Sequence, residues 1–383
     1  MRRLLVLVCV VVFVDAMLFG ALAPLVPGYA DEFGLSKTGA GLLVGSFGAG
    51  ALFGGIPGGL AAQRFGPKHA VVAGLLLLAL ASFAFAAADG PWALGLARLV
   101  QGFSSTVTWS GAFAWLTVST PRERRGELIG TAFGAAVFGA ILGPMFGAVA
   151  DTISIRGSFG TVGVLAALLA LWAGSHPNAP AETEASAAVS RAFSDRAFVA
   201  GLWLNTLPAF LFGIVVVLVP LRLDAGGFAP LAIGAVFLAA GLLEAGFNPL
   251  LGRFSDRRGR LVPIRFALAA SVAVAAAFAI ARDPYPVAVL AVLAALSFGA
   301  FYTPGMALTS DRAEAVLLSQ ALGFGLMSTA WAFGNMTGPA IGGALAAFGG
   351  DALPYLLASG LCLLTLAGTA VVKPRQETAR APT

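Results

Sequence analysis

Charge is what this sequence lacks most. Of its 383 residues only 11% are charged and two are histidine, whereas soluble domains carry about 25% charged residues. Too little polar surface exists to cover a chain that is 58% hydrophobic, which excludes a soluble enzyme or a nucleic-acid binder. Cysteine is nearly missing as well. Cys9 and Cys362 sit in apolar runs near opposite ends, with no metal-ligand spacing and no disulfide framework, and read as small packing residues. No nucleotide-binding loop, metal cluster or nucleophile triad appears, so neither an ATP-driven step nor a cofactor nor a metal is expected. What is there is apolar, with a mean hydropathy of +0.90. The composition is that of an all-α protein that crosses a membrane many times.

A spanning helix needs about 20 largely apolar residues. Apolar runs between charge clusters give twelve candidates, near 4–28, 38–62, 69–88, 92–119, 127–150, 157–175, 196–221, 230–252, 262–281, 286–310, 318–348 and 352–372. The first run follows Arg2 and Arg3, but it contains Asp15 and exceeds the length of a signal-peptide core. It reads as a retained first span. Residues 176–195, rich in Pro, Ala, Glu and Ser, read as a flexible linker. They divide the chain into an N-terminal six-helix bundle (1–175) and a C-terminal one (196–372), followed by a tail (373–383).

Lysine and arginine placement orients the whole. With the N-terminus inside, eighteen of the 23 basic residues fall on inside segments, four (Lys37, Arg156, Arg222 and Arg282) on outside loops, and Arg98 lies within a span. The net charge of +5 thus reflects topology, and no nucleic-acid partner is needed. Both termini, the linker and the tail are expected in the cytoplasm, and the chain in the plasma membrane.

The two halves register on each other. A shift of 193 residues carries Phe19-Gly20 onto Phe212-Gly213, Gly34 onto Gly227, Gly59 onto Gly252, Arg64 onto Arg257 and Gly66 onto Gly259. Later a shift of 195 carries Gly130, Gly139, Gly143-Pro144 and Gly147 onto Gly325, Gly334, Gly338-Pro339 and Gly342. Duplicated six-span halves around a midplane site are the architecture of secondary transporters.

Ionisable residues inside spans are functional hypotheses by default, because their burial is expensive. There are three, Asp15, Arg98 and Glu244. The repeat partner of Asp15 is Pro208 and that of Glu244 is Ala51, so duplication alone requires neither carboxyl group. Such a group answers both to loss of water and to a nearby cation, and can exchange a proton for a cationic or polar substrate. Asp15 reads either as the coupling residue or as a structural partner of Arg98. Glu244 reads either as a second proton site or as a helix-interface group beside Gly241 and Asn248. In span 4, Arg98, Gln101, Ser105 and Thr108 share one helical face, and span 11 carries a weaker stripe that includes Trp331 and Asn335. Trp109, Asn205 and Tyr302 complete the candidate substrate cavity.

Several motifs carry a family resemblance. After span 8 stands Gly252-Arg-Phe-Ser-Asp256-Arg257-Arg-Gly259-Arg260, and after span 2 stands Gly59-Leu-Ala-Ala-Gln63-Arg64-Phe-Gly66-Pro-Lys68. Span 4 opens with Arg98-Leu-Val-Gln101-Gly102, and span 5 carries the glycine-proline pattern. The whole chain resembles the major facilitator superfamily, most closely its twelve-span drug:proton antiporters. The opening Asp15-to-Pro27 segment also resembles vesicular amine transporters, although Phe47 stands where that branch carries a lysine. The resemblance implies two pseudo-symmetric bundles that rock around a central site. It implies a conformational latch at Asp256, Arg257 and Arg260, incomplete in the other half because Gln63 replaces an aspartate. Gly139, Gly143, Pro144, Gly147, Gly334, Gly338 and Pro339 read either as plain helix packing or as a tight seam that closes the extracellular side between halves, and both can hold. The expected function is proton-coupled efflux of small amphipathic or drug-like compounds by a monomer. Proton-coupled uptake of a metabolite is the alternative, and a non-transporting membrane sensor a remote one. A membrane-embedded enzyme would need paired carboxylates or histidines within spans, but His69 and His176 both lie at the cytoplasmic edge.

Overall fold

The computed structural model describes residues 2–120, 124–177, 189–316, 318 and 320–371. The helices are α1 (Arg2–Gly20), α2 (Val26–Glu32), α3 (Lys37–Phe65), α4 (Pro67–Ala87), α5 (Pro91–Ser119), α6 (Arg125–Ile153), α7 (Ile155–Gly174) and α8 (Val189–Ser194). They continue as α9 (Arg196–Ala225), α10 (Pro230–Arg258), α11 (Leu261–Ile280), α12 (Pro284–Ala300), α13 (Tyr302–Ala315), α14 (Gln320–Gly349) and α15 (Ala352–Val371). Among the described residues there is no strand. All twelve expected spans are helical, and ten are long and apolar enough by length and composition to cross a membrane. Among the described residues the other two, α5 and α14, carry polar stripes that lower their hydropathy.

Local chemistry sets the ends. Ser36 and Ser154 accept hydrogen bonds from the N–H groups of Gly39 and Gly157, at 3.2 and 3.0 Å, and so cap α3 and α7. Asp195 caps α9 by accepting from Ala197 and Phe198 at 2.8 and 2.9 Å. Two expected spans are interrupted. Span 1 passes through a 3₁₀ turn at Ala23–Leu25, where Pro24 and Pro27 each withdraw a backbone donor. Span 10 divides between α12 and α13 at Phe301. The expected flexible linker ends in structure. Its last residues form α8, whose Ala192 packs with Phe198, Ala313 and Leu318. Residues 178–188 and the tail lie outside the described residues.

The repeat is visible in the backbone. Gly34 and Gly227 adopt positive φ angles of 59° and 84°, and Gly66 and Gly259 of 88° and 82°. Both pairs lie 193 residues apart, and each marks the same turn in its half, one that a side chain would strain. Helix packing repeats as well. α1 packs on α6 as α9 does on α14, α3 on α5 as α10 on α12, and α4 on α7 as α11 on α15. The halves meet along α3–α14 and α6–α10, which are also related by the repeat. The N-terminal end of α1, the end of α7 and α8 lie at one end of the molecule, called here the linker end. The starts of α3, α10 and α15 lie at the far end.

Candidate functional site

The polar face of α5 is buried; Arg98, Ser105 and the neighbouring Trp109 turn toward α1, whereas Thr108 lies against Gly74 of α4. Ser105 Oγ and Trp109 Nε1 both donate to Oδ2 of Asp15, at 2.6 and 2.7 Å. One turn along the same face, Arg98 Nη1 donates to Gln101 Oε1 at 2.8 Å and to the carbonyl of Leu18 at 3.3 Å. The Arg98 guanidinium lies over the Phe47 ring, 4.9 Å from its centroid, a favourable cation–π placement. Asp15 and Arg98 are 3% and 2% exposed and lie within electrostatic reach of each other, yet make no direct ion pair. Each therefore keeps its own neutral partners. That leaves the carboxylate able to accept a proton or a cation without first breaking a salt bridge. Beside Asp15 stands an aromatic wall, with Trp109 tilted against Phe113 and edge-on to Phe133 at centroid distances of 5.4 and 5.8 Å.

Glycine lets the two halves close on each other at the far end. A Cβ on Gly41 or Gly45 of α3 would collide with the carbonyl oxygens of Pro339 or Met336 on α14, and one on Gly48 with the Asn335 backbone. On the related seam, a Cβ on Gly234 of α10 would stand 3.0 Å from the Pro144 carbonyl oxygen, and one on Gly241 3.1 Å from Ile141. Lys37 and Asp351 bridge the halves by an ion pair at this end. Phe19, Phe47 and Trp331 close the middle, with ring centroids 5.0 and 5.3 Å apart. Toward the linker end the described contacts thin out. A Cβ on Gly55 would still stand 3.3 Å from Thr329 Oγ1, but one on Gly59, Gly246 or Gly325 would meet nothing within 4 Å. Among the described residues the halves are sealed at the far end and packed less closely toward the linker end.

Both spanning carboxyl groups lie on the open side of this closure. Asp15 precedes Phe19 by one helical turn, about 6 Å along the axis, and Glu244 follows Gly241 by about 4.5 Å toward the linker end. Glu244 rests against Gly299, where a Cβ would overlap its Oε1, and Tyr302 lies within its electrostatic reach. Among the described hydrogen bonds none joins Glu244 to Asn248, whose Oδ1 is buried without a partner.

The sequence profile described as Major Facilitator Superfamily matches residues 8–317 and 227–383. The chain belongs to the Major Facilitator Superfamily. It is therefore a multi-pass membrane transporter and not an enzyme. Over 369 residues it is 24% identical to the quinolone resistance protein NorA of Staphylococcus aureus (strain COL), covering 94% of this chain and 93% of NorA. Its fold is similar to that of a bacterial homologue of the human lysosomal transporter Spinster, with a TM-score of 0.75, 15% identity, and 96% and 94% of the two chains covered. It is also similar to a D-xylose–proton symporter, with a TM-score of 0.73, 18% identity, and 96% and 98% covered.

Within this transporter the expected site residues separate into groups. Asp15, Arg98, Gln101, Ser105 and Trp109 form one connected site. Trp331 and Asn335 lie at the seam between halves, where Asn335 Nδ2 donates to the Trp331 carbonyl at 3.2 Å. Asn205 lies elsewhere. It is wholly buried and donates to the Gly201 carbonyl at 2.7 Å and to Thr309 at 3.1 Å, tying α9 to α13. The glycines of the glycine-proline pattern pack within their own half, as the helix-packing reading has it, and not on the seam between halves. Gly139, Gly143 and Gly147 lie on the backbone of α1 at Phe13, Met17 and Ala21, and Gly334 and Gly338 on α9 at Thr206 and Phe210. These contacts lie inside each half, and the reverse sides of the same helices, at Ile141, Pro144, Asn335, Met336 and Pro339, reach across. Of the loop motifs, Arg260 approaches Asp311 at 3.5 Å, Arg257 is exposed and Arg64 stacks on Phe65 at 5.6 Å. The surroundings of Gly252 and the side chain of Asp256 lie outside the described residues. Sequence reasoning missed Lys37, Asp351, Phe19 and Phe47. Phe47 sits midway along a span, and Lys37 and Asp351 are 314 residues apart, so only the fold shows their roles.

Proposed function

We propose that this transporter exports small amphipathic compounds in exchange for protons, with the linker end in the cytoplasm of the cell and the protein in its plasma membrane. The observation that carries this reading is Asp15, a buried carboxyl group held by Ser105 and Trp109, not paired with Arg98, beside aromatic rings. A carboxylate there costs several kcal/mol unless compensated. A proton compensates it, and so does a positively charged, partly apolar compound resting on the rings. Only one fits at a time, and competition for one carboxylate is what couples opposite flows. In the state described, the carboxylate lies on the linker-end side of the far-end closure, where a cytoplasmic compound displaces the proton. Closing the linker end and parting the far end then carries it across, an alternation of the kind such paired halves perform.

The basic residues of the linker-end loops support the orientation. The similarity to NorA, named for quinolone resistance, supports export of drug-like compounds. Glu244 supplies a second titratable group, in the other half. Imposing a pH gradient on proteoliposomes and following a cationic dye tests the reading. Dye should move against the proton flow, and the Asp15→Asn variant should lose that movement.

A further inference from the structure

A crevice of about 630 Å³ runs along the outer surface between α10, α11 and α12, away from the seam between halves. Phe247, Phe254, Phe266, Ala270 and Leu293 are among its walls. Of thirteen lining side chains only Ser297 carries a polar atom, and that hydroxyl is directed at the Ala294 carbonyl of its own helix, at 3.4 Å. A polar ligand would find no partner inside. From Pro263 to Val274 the crevice follows α11 for about 16 Å, close to the apolar depth of one bilayer leaflet, half of about 30 Å. Its shape and chemistry suit an acyl chain lying along the helices.

The mouth of the crevice sets which lipid. Phe254 and Pro263 flank the loop between α10 and α11, and there Arg253, Arg257 and Arg258 are all exposed. Arg260 approaches Asp311, and half-buried Arg265 donates to the Thr369 carbonyl. Three exposed arginines in the last turns of α10, where the sequence has one aspartate, leave a net positive rim at headgroup height. Basic clusters at the end of an intramembrane groove recognise anionic headgroups. We propose that α10, α11 and α12 form a specific site for an anionic phospholipid of the leaflet at the linker end. Calling this the cytoplasmic leaflet rests on the orientation proposed above, whereas the site itself does not depend on the direction of transport.

Native mass spectrometry of the full-length protein, released from bilayers holding equal phosphatidylglycerol and phosphatidylcholine with matched acyl chains, tests the site. Phosphatidylglycerol should be retained about ten-fold over phosphatidylcholine, as the charge of the rim requires. Arg253→Gln with Arg258→Gln, both outside the transport path, should bring the two lipids close to equal retention. Ala270→Phe, which fills the crevice, should lower retention of both. Soluble glycerol phosphate in excess should displace neither, because it lacks the chain. Equal retention of the two lipids by the parent protein would overturn the proposal. So would unchanged selectivity in the folded double-arginine variant, or displacement of the lipid by a cationic dye, which would make the crevice a substrate entrance. A lipid result of either kind leaves the proton-exchange assay unaffected, so the two readings fail separately.

Discussion

Lys37, the first residue of α3, forms an ion pair with Asp351, the residue before α15, and so ties one half of the transporter to the other at the far end. Asp351 also lies 4.0 Å from Arg222, which donates to the Phe278 and Ala281 carbonyls and is thereby held in place. Opening the far end must separate Lys37 from Asp351. The two side chains are 38% and 26% exposed, so the pair contributes on the order of 0.5–1 kcal/mol. A double-mutant cycle with Lys37→Ala and Asp351→Ala should return a coupling of that size, read as the population of far-end-open molecules by spin-label distances. The coupling should shrink in high salt. A cycle that sums to zero would leave closure to the glycine seam alone.

The glycine contacts predict two distinct failures. A Cβ on Gly143 would stand 2.5 Å from the Met17 carbonyl oxygen, inside one half. Overpacking of this kind costs about 1–3 kcal/mol, so Gly143→Ala should lower Tm in detergent. Gly45→Ala would press on Met336 of the other half. It should leave Tm nearly unchanged and instead raise the far-end-open population. Equal Tm losses in the two variants would mean that the seam and the half-interior pack as one unit.

Glu244→Gln keeps the shape of the side chain and removes its charge. With Gly299 pressed against it and Tyr302 within electrostatic reach, the carboxyl has a fixed place but no described hydrogen-bond donor. The variant is expected to exchange substrate across the membrane while failing to concentrate it. Full uphill transport would make Glu244 a packing residue.

Outside the membrane, Asp195 and Arg312 pin the start of α9 to the end of α13. Partial burial pushes the Asp195 carboxyl up, but hydrogen bonds from Arg312 and from the Phe198 and Ala197 N–H groups outweigh it and hold the group below its ordinary value. A depressed folded-state value stabilises the protein above the unfolded carboxyl value, about 3.9, and that stability is lost as pH falls through the folded value. Arg312→Ala should therefore lower Tm at pH 7 and have progressively less effect on acidification below pH 4. A loss that is the same at pH 7 and pH 3 would contradict the assignment.

Much of this architecture is legible in the chain because membranes leave few choices. Every backbone donor must be satisfied within a helix, so apolar run length alone places the spans, and the 193-residue spacing of Gly66 and Gly259 returns as the same positive-φ turn. Asp15, Arg98 and Ser105 are legible because helical spacing puts the last two on one face and buried charge is rare. What the chain hides is which neighbour each small residue meets. Gly143 and Gly41 look alike in sequence, yet one packs within a half and the other between halves. Asn205, read as a cavity residue, is a strut, because a polar face on a helix can point to Thr309 as readily as to a substrate. The division of span 10 at Phe301 leaves only the weak signals of Gly299 and Pro304.

The central claim is that a proton and a substrate compete for Asp15. The most direct test is substrate-induced proton release from purified protein in weakly buffered detergent solution, comparing the parent with Asp15→Asn. Addition of a cationic dye to the parent should release protons in step with binding, saturating at the same dye concentration. In Asp15→Asn that release should disappear or fall to the share carried by Glu244. Binding of the dye with no proton release by the parent, or release undiminished in Asp15→Asn, would contradict the account.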